Sequence, residues 1–397
     1  MKQIIVFLTY VYIFLLPFGN LFRIKVTNGV QIVPQDIIVG LIALLISSFL
    51  LVTKKELFTH RFIKYQLLFL GVGTVSLFLN FILHRDVSLI VSLLYSVRYF
   101  SYLMLFFVGV YFLKADLLSK LLYGALIVFL ILGFVQYFFF YDLRPLFYLG
   151  WDNHLYRLTS TLYDPNFTGI FLSILFWLSI FFSTTLSYRK ALPHIFIGFA
   201  SVVGIYLTFS RTSLVGLVVG ILVYGLLKKQ YKTLTVTIAV LSVLVLFLSD
   251  THIEGLNPFR VASTNQRLTS ISQTITIIEK NPILGVGFNA YRYAQLRYGL
   301  REPVGASVSN SDAGADNSLL FAVATTGFIG IVIYLLSFIS LFKDYFSNKS
   351  TFSYILIAIL SGLIMGSFFT NILFFTPIIG VLFMLIPLKL GKIKVDK

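Results

Sequence analysis

The chain has 397 residues, 58% hydrophobic and only 12% charged, with a formal net charge of +16 at pH 7. Soluble domains carry about 25% charged residues, so this composition excludes a soluble globular enzyme. The absence of cysteine excludes disulfides, thiolate metal sites and a cysteine nucleophile.

Continuous apolar runs of roughly 20 residues recur along the whole length, which predicts an all-α polytopic membrane protein. A β-barrel would alternate residue by residue, and these runs do not. The first run opens at Met1-Lys2 and reaches Gly19 with no small-residue cleavage site after it, so it reads as a retained helix. About twelve spans follow from hydropathy. The first six cover Gln3–Gly19, Asp36–Thr53, Tyr65–Leu83, Ser88–Leu113, Leu121–Phe140 and Phe167–Leu186. The next six cover His194–Phe209, Thr212–Leu227, Thr233–Leu248, Asn317–Leu341, Phe352–Phe369 and Ile372–Pro387. Only Thr370 and Asn371 separate the last two, which predicts a tight hairpin. No internal repeat is visible, and residues 1–397 read as a single membrane domain.

Two polar segments interrupt the apolar pattern, residues 141–166 and residues 250–315. The second is a large extracytoplasmic loop between the ninth and tenth spans. Within it Arg267–Lys280 (RLTSISQTITIIEK) predicts an amphipathic helix lying on the membrane, stopped by Asn281-Pro282. Pro282–Gly287 predicts a tight glycine turn and Tyr291–Tyr298 a second short helix. Val304–Ala315 is small and polar, the composition of a mobile lid or linker.

An even number of spans puts both termini on one side. The segments on that side carry almost only lysine, among them Lys54, Lys55, Lys114, Lys228, Lys229 and Lys343. By the positive-inside rule these segments are cytoplasmic. The opposite segments carry almost only arginine, including Arg23, Arg157, Arg211, Arg260, Arg267, Arg292, Arg297 and Arg301. Lysine needs only to be a point charge against anionic lipid, whereas arginine offers a planar fork of donors suited to phosphate. Positive charge spread in this way, lysines against one membrane surface and arginines at the other, argues against nucleic acid as the partner. A group of outer arginines points to an anionic, phosphate-bearing ligand; for any one of them, an arginine reaching to the membrane surface is the simpler explanation.

Every acidic residue falls in a loop or at a helix end, which counts against an ion-coupled carrier. The clear intramembrane charge is Arg98 in SVRYFSY; it must find a partner or an aqueous cavity. Arg211, in TFSRTSLVGLVVG, stands where Ser210 or Thr212 can cap a helix, so free N–H groups and a positive dipole end lie beside a guanidinium. Asp316 precedes the tenth span. It is either that helix's N-cap or a general base at the mouth of a cavity. Arg157, Asp164, Asn166, Asn289, Tyr291, Arg292 and Asn317 are further candidate substrate contacts in or beside the polar segments. The five histidines (His60, His84, His154, His194, His252) show no metal-ligand spacing, and Gly285-Val286-Gly287 lacks the context of a nucleotide loop.

In order along the chain, DPNFTGIFL at Asp164–Leu172, SRTSLVGLVVG, Arg267 with its helix and NPILGVGFNAY, and DNSLL with Gly327 and Gly330 resemble the O-antigen ligase and polymerase superfamily. The resemblance covers roughly Asp164–Leu341. It implies a membrane glycosyltransferase of the bacterial cytoplasmic membrane, facing outward. It needs no metal or cofactor, and takes an undecaprenyl-pyrophosphate-linked glycan as donor. By that resemblance Arg211 and Arg267 hold the pyrophosphate. Ligases of the family carry His, then Asn, Ser or Gln, then nine residues before GxxG. Here Asn317 and the spacing to Gly327 and Gly330 are kept, but the His position is Asp316. That departure favours the polymerase branch, which joins lipid-linked repeat units into O-antigen or capsule, with Asp316 as the catalytic group. A ligase or related transferase is the alternative, and a glycolipid flippase or exporter is the reading of a different class. A polymerase of this kind implies the lipid bilayer, a flippase and a chain-length regulator as partners, and no nucleic acid.

Overall fold

The computed structural model describes residues 1–27, 30–58, 60–86, 89–231, 261–301 and 314–389. The ninth span expected over Thr233–Leu248, Arg260, and all of Val304–Ala315 but its last two residues lie outside these.

The described chain is a bundle of helices: α1 (Lys2–Leu15), α2 (Pro34–Val52), α3 (Arg61–His84), α4 (Leu89–Met104), α5 (Ala115–Phe139), α6 (Pro165–Thr184), α7 (Tyr188–Leu207) and α8 (Arg211–Lys228). Then come α9 (Val261–Lys280), the short α10 (Tyr291–Arg297), α11 (Ser318–Asn348), α12 (Thr351–Ser367) and α13 (Thr376–Leu385). Among the described residues 8 helices are long and apolar enough to cross a membrane. The protein is therefore an all-α polytopic membrane protein.

The departures from the hydropathy reading are local. α3, α5 and α7 begin at Arg61, Ala115 and Tyr188, ahead of the expected Tyr65, Leu121 and His194, because a polar first turn is helical without adding to the apolar run. Ile24–Thr27 (β1) and Val30–Ile32 (β2) form an antiparallel hairpin between α1 and α2, on a β-branched and alternating sequence too short to register as a span. The last span becomes α-helical only at Thr376. Ile372–Phe374 form a 3₁₀ turn, and Pro377, which has no N–H to donate, sits in the first helical turn.

Helix starts are written in the sequence. Asp164 accepts from the N–H groups of Asn166 and Phe167 at the head of α6, with Pro165 as first helical residue. Ser210 caps α8, Asn317 caps α11 and Ser350 caps α12. Without water in the bilayer core, packing depends on close approach of backbones. Small residues supply it: Gly216 of α8 faces the Gly362 carbonyl of α12, and Gly169 of α6 faces Ser213.

One clip orders the polar segment. In α11 Gly327 has φ +67°, outside helical geometry, and this breaks the helix. The Pro282–Gly287 turn docks into the break. Phe328 N–H donates to Pro282 O (2.9 Å), and Val286 and Gly287 N–H donate to Ala324 O and Thr325 O (both 2.9 Å). A Cβ on Gly327 would collide with the Ile283 carbonyl, and one on Gly285 with the Thr325–Thr326 peptide. The glycines of the PILGVG and GxxG motifs are thus a mutual backbone fit. They hold α9 and α10 over the start of α11.

Candidate functional site

The site lies at the end of the bundle where α2, α6, α8 and α11 begin. Asn166, in the first turn of α6, ties α6 to α8: its Oδ1 accepts from Ser210 Oγ (2.7 Å) and its carbonyl from Ser213 Oγ (3.0 Å). Arg157, buried, donates from Nε to Thr208 O (2.9 Å) and from Nη2 to Phe209 O (3.3 Å), so it caps the end of α7. These two candidates fix the α7–α8 corner, and Arg211 is the first helical residue beyond it. The capping residue there is Ser210, whose Oγ accepts from Ser213 N.

Arg267 comes to this corner from α9, its Nη2 donating to Thr212 Oγ1 (3.4 Å). Burial lowers the pKa of its guanidinium, and the nearby charge of Arg211 lowers it further; Asp316 and Asp164 pull it back. Two guanidiniums close enough to repel, beside the positive end of a helix, form a site that favours an anion. The amphipathic helix predicted at Arg267 begins earlier, at Val261. Its inner face holds the site: Arg267, Ser270, Thr274 and Ile277 follow one another at helical spacing. Thr274 and Ile277 are fully buried.

The N-cap reading of Asp316 is corrected. The capping side chain of α11 is Asn317, whose Oδ1 accepts from Leu319 N and Leu320 N (both 2.9 Å), while its Nδ2 donates to Phe368 O (3.1 Å). An amide reaches both orphan N–H groups from the capping position, and Asp316 is one residue too early to do so. Its backbone N–H donates to Ser270 Oγ on α9 (3.1 Å), and its carboxylate faces Arg267 and Tyr291 electrostatically. The buried Tyr291 hydroxyl is paired with Thr274 Oγ1 (2.7 Å); burial, with a smaller contribution from Asp316, pushes its pKa up to about 12.

A second part of the site is a cavity of about 370 Å³ beside this cluster. Arg98, Asp164, Asn289 and Arg292 line it. Arg98 has found a partner: Nε and Nη2 hold the two oxygens of Asp36 (both 2.8 Å), and Nη2 also donates to Thr376 Oγ1 (3.2 Å). The Arg98–Asp36 pair therefore bridges α4, α2 and α13. Asn289 has φ +57°, and its carbonyl accepts from Ser92 Oγ (3.2 Å). Asp164 belongs to both parts, lining the cavity and acting electrostatically on Arg267. Burial raises its pKa, and the two capping N–H groups offset part of that rise.

Sequence reasoning missed Arg23, Gln35, Thr212, Ser270 and Asn371. The first stood in the sequence as one more outer arginine. The others are uncharged: Thr212 and Asn371 stood only as a possible cap and a hairpin residue, Ser270 as one polar position of the amphipathic helix, and Gln35 as a polar residue beside an apolar run.

Residues 196–335 match the family model described as O-antigen ligase. Over that segment the chain is similar to the O-antigen ligase/polymerase superfamily. The matched stretch contains Arg211, Arg267, Tyr291, Asp316 and the Gly327 clip; Asp164, Arg98 and most of the cavity wall lie outside it. The family's work is the processing of lipid-linked glycans in surface polysaccharide synthesis. A comparison with curated proteins gives no match.

Proposed function

We propose that the protein polymerises polyprenyl-pyrophosphate-linked repeat units into a surface polysaccharide. The observation that carries this reading is the convergence of Arg211 and Arg267 at the head of α8, with Asp316 across from them. The donor's pyrophosphate binds the two guanidiniums and the positive N-terminal end of α8. The acceptor hydroxyl attacks the anomeric carbon of the donor sugar. A new glycosidic C–O bond forms as the bond to the pyrophosphate oxygen breaks, and the electron pair leaves with the lipid pyrophosphate. The arginines stabilise the charge that develops there. Asp316 takes the proton of the attacking hydroxyl. These groups suffice without a metal or cofactor.

The arginine-rich end then faces outward from the bacterial cytoplasmic membrane, with the lysine-rich end and both termini in the cytoplasm. Residues 1–397 act as one membrane domain, and 141–166 and 250–315 as its outer segments. The flippase that delivers repeat units and a chain-length regulator are the natural partners. Concentration of charge at one end favours an enzyme over an exporter, which needs polar groups along a whole path.

A ligase is the second reading, favoured by the description of the matched family. Purified protein given lipid-linked repeat units alone separates the two. A ladder of multiples on a gel is the expected result. Transfer only after a separate acceptor lipid is added means a ligase. No product in either case overturns the transferase reading. Asp316→Asn keeps the shape and removes the basicity, and is expected to slow turnover about 100-fold; full activity removes Asp316 from catalysis.

A further inference from the structure

Hydropathy ends the fifth span at Phe140 and opens a polar segment at Tyr141. The structure gives the first part of that segment a different character. Phe139 and Phe140 at the end of α5, and Phe147, Tyr148 and Leu149 beyond it, all stand exposed. Phe139 is 75% exposed and Tyr148 73%. The 3₁₀ turn Arg144–Leu149 contains no buried residue. Two residues past Leu149, Trp151 lies under Arg23, 4.6 Å from its ring centroid, and Phe22 beside that arginine is exposed as well.

The segment is nevertheless firmly built. Leu143 N–H donates to His154 O (2.9 Å) and Tyr156 N–H to Tyr141 O (3.0 Å), and the Tyr141 and Tyr156 rings stack 4.7 Å apart. Pro145 opens the turn, and Gly150 at φ +85° closes it with its N–H on Phe147 O (2.9 Å). The only charges in residues 138–149 are Asp142 and Arg144, and they neutralise each other. Arg144 Nε and Nη2 donate to the two carboxylate oxygens (2.9 and 2.8 Å), and its backbone N–H adds a third bond (3.1 Å). Backbone groups bonded locally and a closed ion pair lower the cost of leaving bulk water.

A contiguous exposed apolar patch marks a membrane or a protein partner. Continuity decides for the membrane. Ile131, Val135 and Phe138 are exposed at helical spacing along α5, the strip that a spanning helix turns to lipid. Phe139 and Phe140 carry that strip off the helix end with no polar residue between. The closed Asp142–Arg144 pair offers a protein partner no free charge. Phenylalanine with tyrosine suits the boundary of acyl chains and headgroups, where a ring is buried and a hydroxyl stays wet. We infer that residues 138–149 form an anchor lying in the bilayer interface on the arginine-rich side, with Phe147 and Tyr148 among the acyl chains. Gly150, Trp151 and Asp152, which follow directly, belong to the cavity wall. The anchor thereby sets the rim of the cavity at the level of the lipid headgroups. This holds whichever transfer reaction the protein performs.

The chain has no cysteine, so a single introduced thiol carries a nitroxide label without competition. Tyr148→Cys, Phe138→Cys and Asn153→Cys are made in full-length protein, labelled, and placed in nanodiscs of phosphatidylethanolamine and phosphatidylglycerol. Phe138 is the lipid-facing reference, and the exposed Asn153, past the rim, is the aqueous one. Electron paramagnetic resonance compares collisions with oxygen, which dissolves in acyl chains, and with a nickel chelate, which stays in water. The expected oxygen-to-nickel ratio at 148 matches that at 138 and exceeds that at 153 several-fold. A ratio equal to that at 153 puts the segment in water and overturns the anchor. Shielding from both probes means that protein covers the patch, and overturns it equally. Phe147→Cys repeats the measurement if Tyr148→Cys does not fold. Adding Phe147→Glu beside the label at 148 is expected to lower the ratio several-fold, because a carboxylate is costly among acyl chains. An unchanged ratio in that variant overturns the insertion.

Discussion

The two ends of the bundle are built from different cations and different bonds. At the end where α2, α6, α8 and α11 begin, side chains cross between helices: Arg98 to Asp36, Arg267 to Thr212, Ser210 to Asn166, Asn317 to Phe368. At the other end the tertiary bonds among the described residues are simpler. His60 bonds Asp344 (2.9 Å) and Lys228 bonds Thr351 (2.9 Å), while Lys229 and Lys349 only terminate helices in left-handed geometry. Burial lowers the pKa of His60 there, and the bond to Asp344 works against it. The comparison teaches that a charge is held in place where geometry must serve chemistry, and left at the surface where only an anchor is needed.

The largest expected effect falls on the fork at α8. Arg211→Ala and Arg267→Ala should each reduce chain extension at least ~100-fold, with normal protein levels in the membrane. Product length on a gel and immunodetection of the protein check this, and normal glycan in both variants removes the distinction between the ends. Next is the Arg98–Asp36 pair. Arg98→Met strands a largely buried carboxylate and should cost about 3–5 kcal/mol, measured as a fall in Tm of purified protein. A double change with Asp36→Asn should recover most of that loss. Gly327→Ala sets a side chain against the Ile283 carbonyl at positive φ. It should destabilise by more than ~1 kcal/mol and also reduce turnover, because α9 and α10 lose their seat. The smallest effect sharpens the contrast: Lys228→Ala should change stability by no more than ~0.5 kcal/mol and leave turnover unaltered.

Parts of the site were legible in the sequence for clear reasons. Ser210 and the arginine after it announce a capped helix with an anion site, because capping is a local rule. Arg98 announced a partner, because an intramembrane charge requires one. The partner's identity was not legible: Asp36 stands at the head of another span, and hydropathy does not say which helices touch. Asp316 shows the limit of local rules. Aspartate before a helix reads as a cap, yet Asn317 does the capping and leaves Asp316 facing Arg267.

The sequence by itself determined that this is a helical membrane protein, where the side-chain-capped helices α6, α8, α11 and α12 start, and that arginines gather at one end. Those features depend on neighbours within a few residues or on the run of apolar side chains, so order along the chain contains them. Only the tertiary structure decided that Arg211, Arg267, Asp316 and Asp164 share one place, that the PILGVG turn fills the break at Gly327, and that Asp36 is the partner of Arg98. Each of these joins segments far apart in the chain, and distance along a sequence does not say which helix faces meet.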